Sequence, residues 1–338
     1  MFFDNVAIAS LSYVDAPHRI SSSDIEARLA PVLANIGRPQ GLIEKLTGIK
    51  ARRFWDPDVK PSDVATLAAR KAIAEAGISK DTIGAIVNTS VSKDCIEPSI
   101  ASLVHGNLGL SEDCHNFDIG NACLAFLNGM QLLGNMIERG QIDYGLIVDG
   151  EGSRDVVEAT IRRLVDSSAD ENTFRNNFAT LTLGSGAAAM VLTRGDLVPD
   201  APRFHGGVTL AATEHNRLCI GQPTEMITDA SALLVAGLGL ARKTLAKAVD
   251  ALDWKLDEID HYIMHQVGRT HMEKLCAALG INLSKVFMTF EEFGNIGPAA
   301  VPITLAKAIE AGRIKKGDRI ALMGIGSGIN CSMMEVVW

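Results

Sequence analysis

The sequence repeats itself at about half its own length. Ala69-Arg70-Lys71, then Asp81-Thr82-Ile83 and an apolar run ending near Thr89, are matched by Ala241-Arg242-Lys243, Asp257-Glu258-Ile259 and a run ending at His265. A second block comprises Gly120-Asn121, a helical stretch ending at Glu138-Arg139-Gly140, the run Tyr144 to Val148 and Gly150-Glu151-Gly152. Its partner is Gly294-Asn295, a stretch ending at Glu310-Ala311-Gly312, the run Arg319 to Met323 and Gly324-Ile325-Gly326-Ser327-Gly328. The offsets are 172, 176 and 174 residues (241 − 69, 257 − 81, 294 − 120) in a chain of 338. Solenoid repeats are much shorter, so this period implies a duplicated unit whose copies pack about a pseudo-twofold axis. The division is expected at 198/199, giving halves 1–198 and 199–338. Ser153 to Thr182 and Pro199 to Asp229 break the match and read as insertions that can shape a pocket.

Within the first copy, Asn5 to Ser12 reads as a strand and Ser22 to Gly37 as a helix with Ser21 to Ser23 offering N-caps. Ser62 to Gly77 reads as a helix with a Ser cap and a terminal Gly, followed by the buried strand Ile83 to Val87. This alternation predicts an α/β fold. With 47% hydrophobic and 21% charged residues the chain can bury a large core. A net charge of −8, with basic residues only in pairs such as Arg52-Arg53, Arg162-Arg163 and Lys315-Lys316, argues against a nucleic-acid partner. Six cysteines without a CxxC pair, and eight histidines without HxxxH or HExxH, predict reduced thiols in the cytoplasm and no metal centre. MFFDNVAIAS lacks a basic region ahead of its apolar residues, and Ala230 to Ala241 is too short to span a bilayer, so neither export nor a membrane span is expected.

Cys123 lies in DIGNACLAFLNGM, Asp118 to Met130, where helical spacing begins: Phe126, Met130, Leu133 and Ile137 fall at i, i+4, i+7 and i+11. That spacing predicts Cys123 at a helix N-terminus, where unpaired N–H groups and the positive dipole end favour thiolate over thiol. Gly120 and Asn121 permit the sharp turn into it. A lone cysteine is more often a small buried thiol, and a lone histidine a satisfied core residue. The duplication is what groups them. Asn295 occupies, in the second copy, the turn that leads into Cys123 in the first, and His265 ends the strand of the other block. Equivalent strand ends and helix starts meet near a pseudo-twofold axis, so Cys123, His265 and Asn295 are expected to share a site. A thiol with two N–H donors fits covalent acyl transfer: the sulfur attacks a thioester and the donors stabilise charge developing on a carbonyl oxygen.

Asn121-Ala122-Cys123, His265-Gln266, Gly294-Asn295-Ile296-Gly297-Pro298 and Gly324 to Gly328 resemble the thiolase superfamily, in particular its ketoacyl synthase III branch. Within that branch the chain is most similar to the olefin-biosynthesis enzymes that join two long-chain acyl-CoA molecules head to head. The resemblance covers essentially the whole chain, including Thr47-Gly48-Ile49 with its following arginines and the closing Val336-Val337-Trp338. It implies a five-layered αβαβα fold, an obligate homodimer, and an acyltransferase performing non-decarboxylative Claisen condensation of two fatty acyl-CoA thioesters. No cofactor is implied beyond those substrates, and downstream lipid-processing enzymes are the further partners. Cys123 would carry the acyl group, and His265 and Asn295 would hold the second thioester's carbonyl as its enolate forms. The backbone N–H of Cys123 and one near Ser327 would form the other oxyanion hole. Glu97, in Lys93-Asp94-Cys95-Ile96-Glu97-Pro98-Ser99, would enter the neighbouring subunit's site as the base. Two positions depart from the branch's pattern: Gly268 stands where it has an Asn three residues after the His, and Thr270 where it has a phosphate-contacting arginine. Arg52, Arg53 and Arg269 remain as candidates for phosphate contacts.

Other readings stand beside this one. A decarboxylative 3-oxoacyl-ACP synthase III would use malonyl-ACP, a cysteine-dependent thioester hydrolase would yield only free acid, and an idle binding subunit would release no CoA. The glycine-rich GIGSG does not read as a dinucleotide fingerprint, because the final strand, Ile329 to Trp338, follows it where that fingerprint needs a helix.

Overall fold

The computed structural model describes every residue from Met1 to Trp338. Nine strands form one mixed sheet: β1 (Val6–Asp15), β2 (Ile83–Asn88), β3 (His115–Asp118), β4 (Tyr144–Glu151), β5 (Gly186–Arg194), β6 (Arg203–Ala211), β7 (His261–Met264), β8 (Arg319–Gly326) and β9 (Asn330–Val337). Their order is β7-β8-β9-β6-β1-β5-β4-β2-β3. On one side β1 runs antiparallel to β5, β5 antiparallel to β4, and β4, β2 and β3 are parallel. The other side repeats this: β6 is antiparallel to β9, β9 antiparallel to β8, and β8 parallel to β7. Val286, bridged in parallel to Tyr262, stands where a counterpart of β3 would be. Ala7 paired with Arg203, and Phe2 just ahead of β1 bridged to Gly206, join the two sides.

Six helices cover this sheet: α1 (Pro61–Ala76), α2 (Ile100–Leu108), α3 (Ala125–Glu138), α4 (Ala230–Leu252), α5 (Arg269–Leu279) and α6 (Ala300–Glu310). Side-chain alternation along the strands sorts them into layers. In β2, Ile86 faces a core with Val64, Ala68 and Ala72 of α1 and Val104 of α2, while Ala85 and Val87 face a second core containing Phe126, Met130, Leu133 and Ile137 of α3. That second core also takes Val301 and Leu305 of α6 and, from the other side, Ile263 and Leu322. Tyr262, Met264 and Met323 point the opposite way, onto Leu240 and Leu245 of α4 and Met272 and Leu275 of α5. The layers are thus α1/α2, strands, α3/α6, strands and α4/α5. Strands buried on both faces read as nearly continuous apolar runs, which is why Ile83 to Asn88 was legible.

Three expectations need correction. The helix from Ser22 breaks at Leu29, because Pro31 starts a new one, giving helices Ser22–Arg28 and Ala30–Asn35. Only Ser21 acts as a cap, its Oγ accepting from the Asp24 N–H at 3.0 Å. Helix α1 begins at Pro61 after Lys60, so Ser62 is inside it and instead donates its hydroxyl to Asp94 at 2.6 Å. Pro199 to Asp229 is not wholly an insertion: it contains β6, the counterpart of β1. The first insertion does form separate structure, with helices Arg154–Asp166 and Glu171–Asn177 packing on Ile25, Leu29 and Leu33. We propose to divide the chain at 198/199, in the connection between β5 and β6.

Candidate active site

Cys123 sits in a tight 3-10 turn, Ala122–Leu124, that runs directly into α3, so it precedes the α-helix by one turn rather than opening it. Ala122 holds a positive φ of 45°, a strained conformation for a residue with a Cβ, immediately before the sulfur. Neighbouring amides fix the turn: Asn330 Nδ2 donates to Asn121 Oδ1 at 3.0 Å, and Asn121 Nδ2 to Asn128 Oδ1 at 2.7 Å. The glycines of β8 are there for close approach. A Cβ on Gly324 would stand 2.6 Å from Leu124 Cδ2, and one on Gly326 3.0 Å from the Asn121 carbonyl oxygen. GIGSG is the strand that presses on the cysteine turn.

His265 follows the last residue of β7 and is held by its N–H to Met323 O at 2.9 Å. The buried Gln266 locks this strand end, donating to Phe287 O at 2.8 Å and accepting from the N–H groups of Thr289 and Phe290 at 2.9 and 3.1 Å. Asn295 is fixed by its N–H to Thr182 O and its O from Gly184 N–H, at 2.9 and 2.8 Å. Its Oδ1 accepts from Gly297 N–H at 3.0 Å, leaving Nδ2 as the remaining donor. Gly294, at φ 65°, permits this turn, since a Cβ there would lie 2.4 Å from Thr182 O.

Cys123, His265, Asn295 and Ser327 line one cavity of about 1010 Å³, the upper end of the range for small-ligand sites. Apolar side chains dominate its walls, among them Trp55, Phe178, Leu183, Met226, Leu233 and Met333. Both interruptions of the repeat contribute, through Val156 and Phe178 from one and Met226 from the other. Glu97 does not line it. That residue lies on the exposed segment between β2 and α2, beside a fully exposed Ile96. No cluster of three His, Cys, Asp or Glu side chains is placed to hold a metal ion.

The arginines part company. Arg52 is wholly buried, donating to Ser22 Oγ at 3.1 Å and Leu181 O at 2.8 Å. Burial lowers its pKa to about 10, partly offset by Glu26. It cannot reach a phosphate in solvent. Its structural role yields a prediction: Arg52→Ala should lower stability by about 3 kcal/mol, the scale for losing buried hydrogen bonds from a charged donor, while the KM for acyl-CoA stays unchanged. A raised KM with unchanged melting would contradict this. Arg53 stacks on Phe293, 5.1 Å from the ring centre, and is outside the cavity. Arg269 lines a shallow hollow with Lys45, Lys50 and Thr270, and Thr270 also lines the cavity. It is paired with Glu291 at 2.6 Å. Of the three it alone lines a hollow that shares Leu46 and Thr270 with the cavity.

Electrostatics reverse one expectation. The Cys123 thiol is pushed up to about 12, first by burial and then by Cys219 and Glu151 nearby. A helix end contributes roughly 1 kcal/mol, and no cation accompanies it here, because His265 is itself held down to about 4 by burial and by His271. The resting pair is neutral thiol and neutral imidazole, and the proton must leave the sulfur as it attacks. Residues that spacing alone did not single out also face the cavity: His271, held to about 4 by burial, Cys219, and Glu151, whose carboxyl burial pushes up to about 7. Glu151 was visible only as the counterpart of GIGSG in the repeat.

A thiol, an imidazole and an amide converging on an apolar cavity at the junction of two duplicated halves define a thiolase-like condensing enzyme. The family described as 3-oxoacyl-[acyl-carrier-protein (ACP)] synthase III matches residues 117–203, and its C-terminal part matches residues 249–338. The chain belongs to this 3-oxoacyl synthase III family of acyltransferases. It is 53% identical, over all of both chains, to an acyl-CoA:acyl-CoA alkyltransferase of Xanthomonas campestris pv. campestris, and 39% identical, again over all of both, to one of Shewanella oneidensis. The crystal structure of cerulenin-bound Xanthomonas campestris OleA superposes with a TM-score of 0.98 at 53% identity, covering 100% of this chain and 98% of that one. Solved variants of that relative change a cysteine, a glutamate and a histidine, the cysteine 26 residues after the glutamate and the histidine 142 after the cysteine. The same intervals separate Glu97, Cys123 and His265 (123 − 97 and 265 − 123).

Proposed function

We propose that the chain joins two long-chain fatty acyl-CoA thioesters by non-decarboxylative Claisen condensation, giving a 2-alkyl-3-oxoacyl product. The observation that carries this reading is the convergence of Cys123, His265 and Asn295 on one large apolar cavity in a chain similar along its full length to acyl-CoA:acyl-CoA alkyltransferases. Cys123 attacks the first thioester, its S–H proton leaves with CoA thiolate as free CoA, and an acyl-sulfur bond replaces the old one. The second acyl-CoA then loses an α-proton, and its enolate, held by N–H donors of His265 and Asn295, attacks the acyl carbonyl and releases Cys123. The N–H groups of Cys123 and the Ser327 loop hold the oxyanion of the acyl group. Glu97 takes the α-proton, reaching the cavity from the second subunit of a homodimer. Arg269 in its hollow would contact the CoA phosphates, no cofactor is needed, and the condensed product would pass to lipid-processing enzymes in the cytoplasm. No helix is long and apolar enough to cross a membrane.

Mass spectrometry of protein and products after mixing with saturated acyl-CoA of varied length tests this: a longer β-keto product supports condensation, free acid alone a hydrolase. Asn295→Ala separates the half-reactions. Losing one oxyanion donor typically costs ~3 kcal/mol, about a hundredfold, so this variant should release a first equivalent of CoA while condensation collapses. Loss of that burst, with condensation normal per acylated enzyme, would contradict the assignment.

A further inference from the structure

Glu151 ends β4 with its side chain on the cavity wall, close to Cys123, yet both carboxylate oxygens are already taken. Oε1 accepts from Val91 N–H at 2.6 Å, and Oε2 from Ser92 Oγ at 2.6 Å and Ser92 N–H at 3.2 Å. Ser92 Oγ in turn accepts from Gly152 N–H at 3.0 Å, and Trp55 Nε1 donates to the Glu151 carbonyl at 2.9 Å. On its other side the carboxyl abuts the Asn295 turn, where a Cβ on Gly297 would lie 3.5 Å from Cδ. A carboxylate whose two oxygens are held by three donors from one loop is built to hold that loop.

What it holds is the root of the segment that carries Glu97. Beyond Ser92 the segment is braced twice more: Asp94 accepts from the N–H and hydroxyl of Ser62 at 3.0 and 2.6 Å, and Lys93 pairs with Asp118, which caps α2 through the N–H groups of Ile100 and Ala101 at 3.2 and 2.9 Å. Between these braces the tip, Cys95 to Pro98, stands exposed, and the Glu97 carboxylate makes no hydrogen bond within its own chain. The direction of Glu97 is therefore set from its anchors, and Glu151 is the anchor that also lines a cavity.

We propose that Glu151 is a positioning residue that aims the Glu97 segment, and so serves the active site of the partner subunit rather than the one beside it. The proposal rests on the reading that Glu97 enters the partner's site. A general base must meet its proton with sub-ångström placement, and a misplacement of about 1 Å costs on the order of a hundredfold. Glu151→Gln is nearly isosteric but turns an NH2 toward N–H donors, so the loop root must move.

The test uses dimers co-produced with two different affinity tags, so that only mixed dimers are assayed for condensation. Glu151→Gln homodimers should lose about a hundredfold. Paired with a Cys123→Ala chain, the Glu151→Gln chain keeps its own cysteine and receives a correctly aimed Glu97, so activity should return to about half of wild type, one working site in two. The reverse arrangement is decisive: a Cys123→Ala/Glu151→Gln chain opposite a wild-type chain should be inactive, whereas Cys123→Ala alone opposite wild type retains its one site. A merely structural defect would not follow this pattern. A dimer of Glu97→Gln with Cys123→Ala is the control for the underlying reading. If it is active and Glu151→Gln with Cys123→Ala is dead, Glu151 serves its own cysteine and the proposal is overturned; if both are dead, the placement of Glu97 falls and takes the proposal with it. Fully active Glu151→Gln homodimers would also overturn it. Ser92→Ala, which removes a donor to the same carboxylate, should give the same pattern of mixed dimers and serves if Glu151→Gln does not fold.

Discussion

Cys123→Ala releases no CoA and forms no condensed product, while the unmodified protein gains one acyl mass per chain on the peptide around Cys123. Both expectations follow from a single sulfur standing where the cysteine turn, His265 and Asn295 meet in one cavity. Removing a nucleophile that acts as a unit with its neighbours typically costs about a millionfold. Cys219 is the informative rival, because it lines the same cavity and is half-buried. Cys95 is exposed and does not line the cavity, and Cys331, which does line it, is buried beneath its surface at 1% exposure. Acyl mass on Cys219, or full activity in Cys123→Ala, would sink the assignment. The raised thiol pKa adds a second signature: alkylation of Cys123 by iodoacetamide should rise about tenfold per pH unit with no plateau below about pH 9, since only thiolate reacts. A plateau near neutrality would mean that the helix end does govern the sulfur.

That reversal marks where sequence stops informing. The helical spacing of Phe126, Met130, Leu133 and Ile137 located the start of α3 to within one turn of Cys123, because periodicity is local. Whether the sulfur is charged depends first on burial and then on Cys219 and Glu151, which no spacing around Cys123 encodes. The duplication was legible because both copies kept their helix ends and strand caps, and those landmarks fall at equivalent points in the strand order. Strand β6 escaped because its glycines hide its pattern: a Cβ on Gly207 would meet Met333 O at 2.1 Å, so close pairing with β9 demanded glycine where a strand former would have announced itself. Arg52-Arg53 looked like a basic pair for phosphate, yet Ser22 and Leu181, 30 and 129 residues away, had already claimed Arg52. The Gly150-Glu151-Gly152 landmark was visible as a repeat but mute about role, because its partners Val91 and Ser92 lie about 60 residues earlier.

Glu97→Gln leaves Cys123 acylated and abolishes condensation, with a loss of at least the ~10²–10⁴-fold that a positioned general base supplies. A malonyl thioester generates its carbanion by losing CO2 and needs no base, whereas an ordinary acyl thioester must surrender an unactivated α-proton, so some carboxylate has to reach the enolate. Four carboxylates line the cavity, Asp56, Asp58, Glu151 and Asp155, and the oxygens of Glu151 are occupied by Val91 and Ser92; Asp149, deeper still, is bonded to Thr89. Burial and the charge of Glu151 keep Asp149 well above the ordinary carboxylate range. Glu97, by contrast, projects on an exposed tip beside a fully exposed isoleucine, a combination that a second copy of the chain would cover. Glu97→Gln should therefore still release a first equivalent of CoA from acyl-CoA, observed as a stoichiometric burst without turnover. Normal product formation by this variant, or condensation of malonyl-CoA with CO2 release by the unmodified enzyme, would return the chain to decarboxylative chemistry.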